Sequence, residues 1–256
     1  MKIIASDFDG TLLHRQGNEH VISQKDRDAI KKWRAGGNLF GIVTGRGSEM
    51  PKTVVNENLD IDFVITFNGA EIYDVSTTPA KLLKRTLGQT DRLYDTLPII
   101  LRSSGSTMDI ITPERRYHVT YNDEAPDSQD NWVKSEAIKA VKQFLHIQSL
   151  YESSEEALEV ARQLNADFSD AVSPLVNGRW LNIPASGVTK ASGVWEYAQI
   201  MSVSKENIFS IGDSYNDMDM IKAFNGFTLE NGVDELKQIA RAVYRGVWEL
   251  IEALMR

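Results

Sequence analysis

The chain has 256 residues, 42% of them hydrophobic and 25% charged, an ordinary globular mix with enough apolar matter for a real core. Its formal net charge of −8 argues against electrostatic nucleic-acid binding, and its lack of cysteine excludes disulfides, thiolate metal sites and cysteine nucleophiles. No run of apolar residues reaches membrane-spanning length, and Met1-Lys2-Ile3-Ile4-Ala5-Ser6-Asp7 lacks the apolar region of a signal peptide, so a cytoplasmic location is expected.

Residues 2–6 form a short apolar run that stops at Asp7-Phe8-Asp9-Gly10, as a buried strand stopped by a turn does. Ser23 starts a helix, with Asp26 in a weak capping box, and Gly36-Gly37 ends it. Residues 39–43 read as the next strand, broken by Thr44-Gly45-Arg46. Residues 48–58 read as a helix with Pro51 in its first turn, and 63–66 as a third strand ending at Asn68-Gly69. Strands separated by helices imply parallel pairing.

After about residue 80 the pattern changes. Strands are expected at 82–87, 107–111, 117–121 and 147–151, helices at 91–102, 134–145 and 155–164, and a polar loop at 122–131. Residues 180–183 should lead back to the first domain. The alternation then resumes, with a helix at 190–201, a strand at 208–211, and helices at 217–224 and 247–255.

Four groups carry chemistry. Asp7 and Asp9 lie two apart in extended chain, so both point the same way at the C-terminal end of a strand, where open α/β sheets bind ligands. Two carboxylates this close repel unless neutralised, and Mg2+ with its preference for oxygen ligands would do so. The competing reading is an acidic loop capping the next element. Thr44-Gly45-Arg46 sits one βα unit later and offers a hydroxyl and backbone N–H groups to a phosphoryl oxygen, though Thr-Gly is also ordinary turn chemistry. Lys190 opens a helix, where a cation and free backbone amides both favour an anion. Gly212-Asp213-Ser214-Tyr215-Asn216-Asp217 repeats the strand-then-acidic-turn pattern, and Asp217 also reads as a helix N-cap.

Taken in order, Asp7-x-Asp9-Gly10-Thr11, Thr44, Lys190 and Gly212-Asp213-x-x-Asn216-Asp217 resemble the four motifs of the haloacid dehalogenase (HAD) superfamily of phosphohydrolases. Asn68-Gly69-Ala70 and Gly187-Val188-Thr189-Lys190 resemble its Cof-type sugar-phosphate phosphatases. Ala191 and Gly232 depart from that subgroup, where glycine and alanine are usual. The resemblance implies an α/β fold, a Rossmann-like parallel-sheet core at 1–80 and 181–256 with an inserted α+β C2B cap at 81–180.

It also implies roles. Asp7 is the nucleophile and Asp9 the general acid and base. Mg2+ is the cofactor, held by the Asp7 side chain, the Asp9 carbonyl and Asp213, with Asp217 supporting it directly or through water. Thr44, Gly45 and Lys190 hold the phosphoryl oxygens, helped by Asn216 and Arg46. The cap chooses the leaving group, with Arg115, Arg116 and His118 as candidates. The expected partner is a small phosphorylated metabolite, with no nucleic acid and no membrane, and the protein is expected as a monomer or small homo-oligomer. A phosphomutase or phosphotransferase of the same superfamily, or a non-catalytic sugar-phosphate sensor, are the alternative readings.

Overall fold

The computed structural model describes residues 1–17, 19–89, 92–101, 107–120, 132–134 and 141–256. They divide into two compact units, Met1–Arg85 with Thr189–Arg256, and Thr86–Val188.

In the first unit eight described strands form one sheet, in the order Val243–Tyr244, Asn225–Leu229, Ile208–Gly212, Ile3–Ser6, Leu39–Val43, Phe63–Thr66, Glu71–Asp74, Lys81–Arg85. The pairings from Val243–Tyr244 through Phe63–Thr66 are parallel, and the last two are antiparallel. Ile3–Ser6 lies at the centre and is buried throughout, so its apolar run needs no polar alternation. Side chains alternate between two cores, as the strand period dictates. Ile4, Phe40, Ile42, Val64 and Ile211 face one, with Ile30, Trp33 and Val54 of the covering helices. Ile3, Ala5, Phe63, Ile65 and Ile208 face the other, with Val194, Tyr197 and Met220. Gly41 makes room on that second face, because a Cβ there would stand 2.4 Å from the Phe63 ring, which stacks on Tyr197.

Helix Gln24–Ala35 begins where Ser23 predicts, with the Ser23 hydroxyl accepting the Asp26 N–H. Asp26 does more than cap. Buried, it also accepts the backbone N–H of Trp248 at 2.8 Å and so ties this helix to Val247–Leu254.

The second unit is a six-stranded sheet in the order Trp132–Lys134, Arg116–Thr120, Thr107–Ile111, His146–Leu150, Trp180–Pro184, Leu175–Asn177, antiparallel except for its first pair. Met108, Ile110, Ile147, Leu181 and Ile183 are buried, as are Leu97 and Ile100 of helix Leu93–Ile100 and Val160 and Leu164 of helix Ser154–Phe168. On the opposite parity, His118, Asp109, Gln148 and Asn182 stand in one row across four strands.

Several expectations need revision. Lys81–Arg85 pairs with Glu71–Asp74 and belongs to the first unit, while Trp180–Pro184 pairs on both sides within the second. The helix expected at 134–145 is not what its described parts form: Trp132–Lys134 is a strand, and Gln143–Phe144 is another, paired with Gly88–Gln89. Tertiary packing overrides local propensity there, since the Phe144 ring fills the space over Gly88, where a Cβ would stand 2.4 Å from it. Residues 135–140, the loop expected at 122–131 and both ends of the helix expected at 91–102 lie outside the described residues. The remaining helices agree within a few residues, Met50–Asn56 being shorter than expected and Ser154–Phe168 longer.

Candidate active site

Because Ile208–Gly212, Ile3–Ser6, Leu39–Val43 and Phe63–Thr66 are adjacent and parallel, their C-terminal ends share one edge of the sheet. The residues that follow them are Asp213, Asp7, Thr44 and Phe67-Asn68. The turns are stitched together by backbone bonds: Asp7 N–H donates to Ile211 O, Thr44 N–H to Ile65 O, and Asn68 N–H to Thr44 O.

Asp7, Asp213 and Asp217 offer carboxylate oxygens that lie within 4.8 Å of one another. Lys190 stands among them, wholly buried, its Nζ donating to Asp7 Oδ1 at 2.6 Å and to Asp217 Oδ1 at 2.5 Å. Burial pulls the lysine's pKa down, but the Asp217 and Asp7 carboxylates outweigh it and hold the ammonium above its ordinary range. Burial pushes the Asp7 carboxyl well up, against the pull of Lys190. Asp213 is raised by burial too, with the Thr11 hydrogen bond working the other way. Three carboxyl groups face one ammonium, so ionising all three leaves negative charge in excess, which adds to burial in raising Asp7 and Asp213.

Each member is held from behind. Thr11 Oγ1 donates to Asp213 Oδ1 at 2.6 Å. Asp217 Oδ2 accepts the backbone N–H groups of Asp213 and Ser214, both at 3.0 Å, so both oxygens of Asp217 are engaged. Gly10 has φ +89°, and a Cβ there would stand 2.4 Å from Asp213 Oδ2, so the turn after Asp9 requires glycine. Asn231 Nδ2 donates to Gly10 O at 2.8 Å and closes the loop from the far side.

Asp9 lies apart from the buried cluster. Half exposed, it is gripped by the Arg46 guanidinium through Nε at 2.8 Å and Nη2 at 2.5 Å, while Arg46 lies 5.0 Å from the Phe8 ring centre. Thr44 is buried and its Oγ1 accepts the Arg46 N–H at 3.1 Å. Gly45 has the Asn68 carboxamide against it, and Asn216 Oδ1 accepts from Ser214 Oγ. A cavity of about 560 Å3 opens beside Asp9 and Gly10, lined also by His14, Arg15, His20 and Asn231.

The structure thus gathers Asp7, Asp213, Asp217 and Lys190 into one cluster, with Thr44 and Gly45 ending the neighbouring strand. Arg46, expected at the phosphoryl group, holds Asp9 instead. Thr11 stands in the first motif without an expected role, and its hydrogen bond to Asp213 supplies one; Asn231, for which no role was expected either, gains one from its bond to Gly10. Glu71 was not singled out at all. Wholly buried, it accepts from Arg85, Tyr73 and Ser48 and so anchors the segment that follows Arg46.

Oxygen donors at strand ends meet a buried lysine beside a half-exposed second aspartate, and residues 4–247 match the haloacid dehalogenase-like hydrolases, to which the chain belongs. Within that family it is a phosphoric monoester hydrolase. It is 28% identical to the 5-amino-6-(5-phospho-D-ribitylamino)uracil phosphatase YwtE of Bacillus subtilis, over 93% of this chain and 91% of that protein. A second B. subtilis phosphatase of the same name, YcsE, is 29% identical over 94% of this chain and 88% of its own. In fold the chain is similar to a sugar phosphatase of HAD subclass IIB, with a TM-score of 0.79, 19% identity, and 100% and 99% of the two chains covered. Among the described residues no helix is long and apolar enough to cross a membrane.

Proposed function

We propose that this protein is a Mg2+-dependent phosphatase that hydrolyses small phosphorylated metabolites, phosphorylated sugars or sugar alcohols in particular, through a phosphoryl group carried on Asp7. The observation that carries this reading is the Asp7–Lys190–Asp217 chain of contacts beside Asp213. An all-oxygen donor set with excess negative charge fits a hard divalent cation. Asp7 and Asp213 would hold it with the Asp9 carbonyl, while Asp217 acts through Lys190 and the Asp213-Ser214 turn. The bound ion would neutralise charge between Asp7 and the incoming phosphate.

The chain's own residues do the rest. Lys190 holds the Asp7 carboxylate in place and offers its remaining proton to a phosphoryl oxygen. Asp7 attacks phosphorus in line, forming one P–O bond as the bond to the leaving oxygen breaks. Asp9 gives that oxygen a proton, then takes one back from the water that cleaves the aspartyl phosphate, releasing inorganic phosphate and restoring Asp7. Its exposure suits proton exchange with substrate and solvent, and the Arg46 guanidinium, which grips both its oxygens, releases one of them as Asp9 takes from solvent the proton it gives. Thr44 and Gly45 close on the phosphoryl oxygens. The names of the curated relatives support a phosphorylated sugar alcohol as the substrate class.

The test is phosphate release from a panel of sugar and sugar-alcohol phosphates, including 5-amino-6-(5-phospho-D-ribitylamino)uracil, with and without Mg2+. Release that needs Mg2+ and disappears in Asp7→Asn is the expected result. No release from folded wild-type protein, or full release by the variant, overturns the reading.

A further inference from the structure

Beside the Thr44-Gly45 turn the chain does something costly. Phe67 and Asn68, neither of them glycine, both adopt positive φ, at +50° and +54°, and Gly69 follows at +119°. Left-handed backbone at two successive ordinary residues is disfavoured and persists only where the surroundings impose it. Here they do. Phe67 N–H donates to Arg46 O and Asn68 N–H to Thr44 O. On the other side, a Cβ on Gly69 would stand 2.2 Å from the carbonyl oxygen of Thr189, and one on Gly193 would stand 2.9 Å from Gly69 Cα. The turn is therefore wedged between the strand end that carries Thr44-Gly45 and the helix that carries Lys190.

Those contacts fix the backbone, and glycine would meet them at lower strain. They do not account for the side chain. Asn68 is 1% exposed, and its Oδ1 is buried with no hydrogen-bond partner among the described residues. A buried carboxamide oxygen left without a donor is rare and asks for a reason. Its position supplies one: a Cβ on Gly45 would lie 3.3 Å from both Nδ2 and Oδ1, so the carboxamide lies directly against Gly45.

We propose that Asn68 is a further phosphoryl-binding residue, whose carboxamide donates an N–H to a phosphoryl oxygen of the bound substrate next to Thr44 and Gly45. The proposal rests on the reading that this turn holds the phosphoryl group. A terminal carboxamide has a broad, roughly two-fold torsion, so a half-turn exchanges its oxygen and nitrogen at little cost. That half-turn brings an N–H to where the orphaned oxygen stands, and a phosphoryl anion is the acceptor it lacks. Asparagine rather than glycine at position 68 then makes sense. Its short polar side chain tolerates the left-handed conformation and adds a donor that glycine does not have.

Inorganic phosphate in the presence of Mg2+ is the probe, titrated calorimetrically into wild type, Asn68→Gly and Asn68→Asp, with a thermal melt of each. Asn68→Gly keeps the backbone conformation and removes the orphaned oxygen, so it should melt at or above wild type while binding phosphate at least about tenfold more weakly, the loss expected for one hydrogen bond to a charged group. Asn68→Asp keeps the shape, replaces the donor with an acceptor, and should bind more weakly still. Either variant, folded and binding phosphate within about twofold of wild type, overturns the proposal. Wild-type protein that binds no phosphate overturns the phosphatase reading instead.

Discussion

Asp217 offers a direct test of how the site is held together. It is wholly buried, with Oδ1 2.5 Å from Lys190 Nζ and Oδ2 accepting two backbone N–H groups at 3.0 Å. Asp217→Ala leaves a buried ammonium with Asp7 as its remaining carboxylate and strands both backbone donors. Breaking one side of a buried ion pair costs roughly 3–5 kcal/mol. Each N–H left dry adds about 1–3 kcal/mol, part of which water entering the vacated space returns. A net loss of about 4–6 kcal/mol is expected, which at ~2–4 °C per kcal/mol lowers the thermal midpoint by roughly 10–20 °C. Asp217→Asn keeps the volume and one acceptor and should lose about half as much. Lys190→Met alone leaves Asp7 facing Asp217 without a cation and should also be destabilised. Combined with Asp217→Asn it removes the ammonium together with one of its two carboxylates and relieves the repulsion between Asp7 and Asp217, so the double variant should be more stable than the two losses predict, by about 1–3 kcal/mol. Urea unfolding followed by tryptophan fluorescence measures wild type and the four variants. A loss below about 1 kcal/mol in Asp217→Ala, or strict additivity in the double variant, would refute the reasoning.

Asp7→Asn should abolish phosphate release and melt at or above wild type, because burial makes the ionised Asp7 carboxylate unfavourable in the folded state; a lower melting point counts against that electrostatic account. Gly10→Ala forces a left-handed backbone onto alanine and pushes on Asp213, so calorimetric Mg2+ affinity should drop about tenfold or more, and unchanged affinity would remove Asp213 from the ion's ligands. His146, hydrogen-bonded to Asn182, has its pKa lowered by burial from 6.5 to about 4, the Asn182 bond opposing and Arg116 assisting. The folded state therefore stays neutral where the unfolded chain takes up a proton, so this contribution is complete above pH 6.5 and is lost as pH falls toward about 4. That loss is about 3 kcal/mol, read as a slope in urea stability between those values and flattened in His146→Gln.

How much of this could be read from the sequence depended on whether local rules and tertiary needs agreed. At residues 2–6 they did: a strand buried on both faces is apolar at every position, and the acidic turn that follows marks its end. Ser23 and Gly36-Gly37 bound their helix by capping chemistry that needs no partner. Gln143–Phe144 failed for the opposite reason, since what makes it a strand is the hollow over Gly88, more than fifty residues earlier in the chain. Glu71–Asp74 was passed over because half its burial comes from a charge. Glu71 is wholly buried only because Arg85, Tyr73 and Ser48 converge on it, and glutamate gives no sign of that in a linear pattern.

The site divides along the same line. Asp7, Asp213 and Thr44 were legible because a parallel sheet brings its strand ends together, so motifs far apart in sequence needed only the right strand before them. Lys190 was legible as a helix start, but not as the most buried cation of the site, because its burial depends on Asp7 and Asp217 meeting it from two other turns. Arg46 shows the limit most clearly. Its place beside Thr44 suggested a phosphate ligand, yet its side chain turns to the Asp9 carboxylate and lies over the Phe8 ring, so a residue named for substrate binds the second aspartate of the first motif. Spacing along a strand edge locates a turn. Which way a long side chain leaves that turn is decided by the charges around it, and here the half-exposed Asp9 carboxylate is the anion Arg46 reaches.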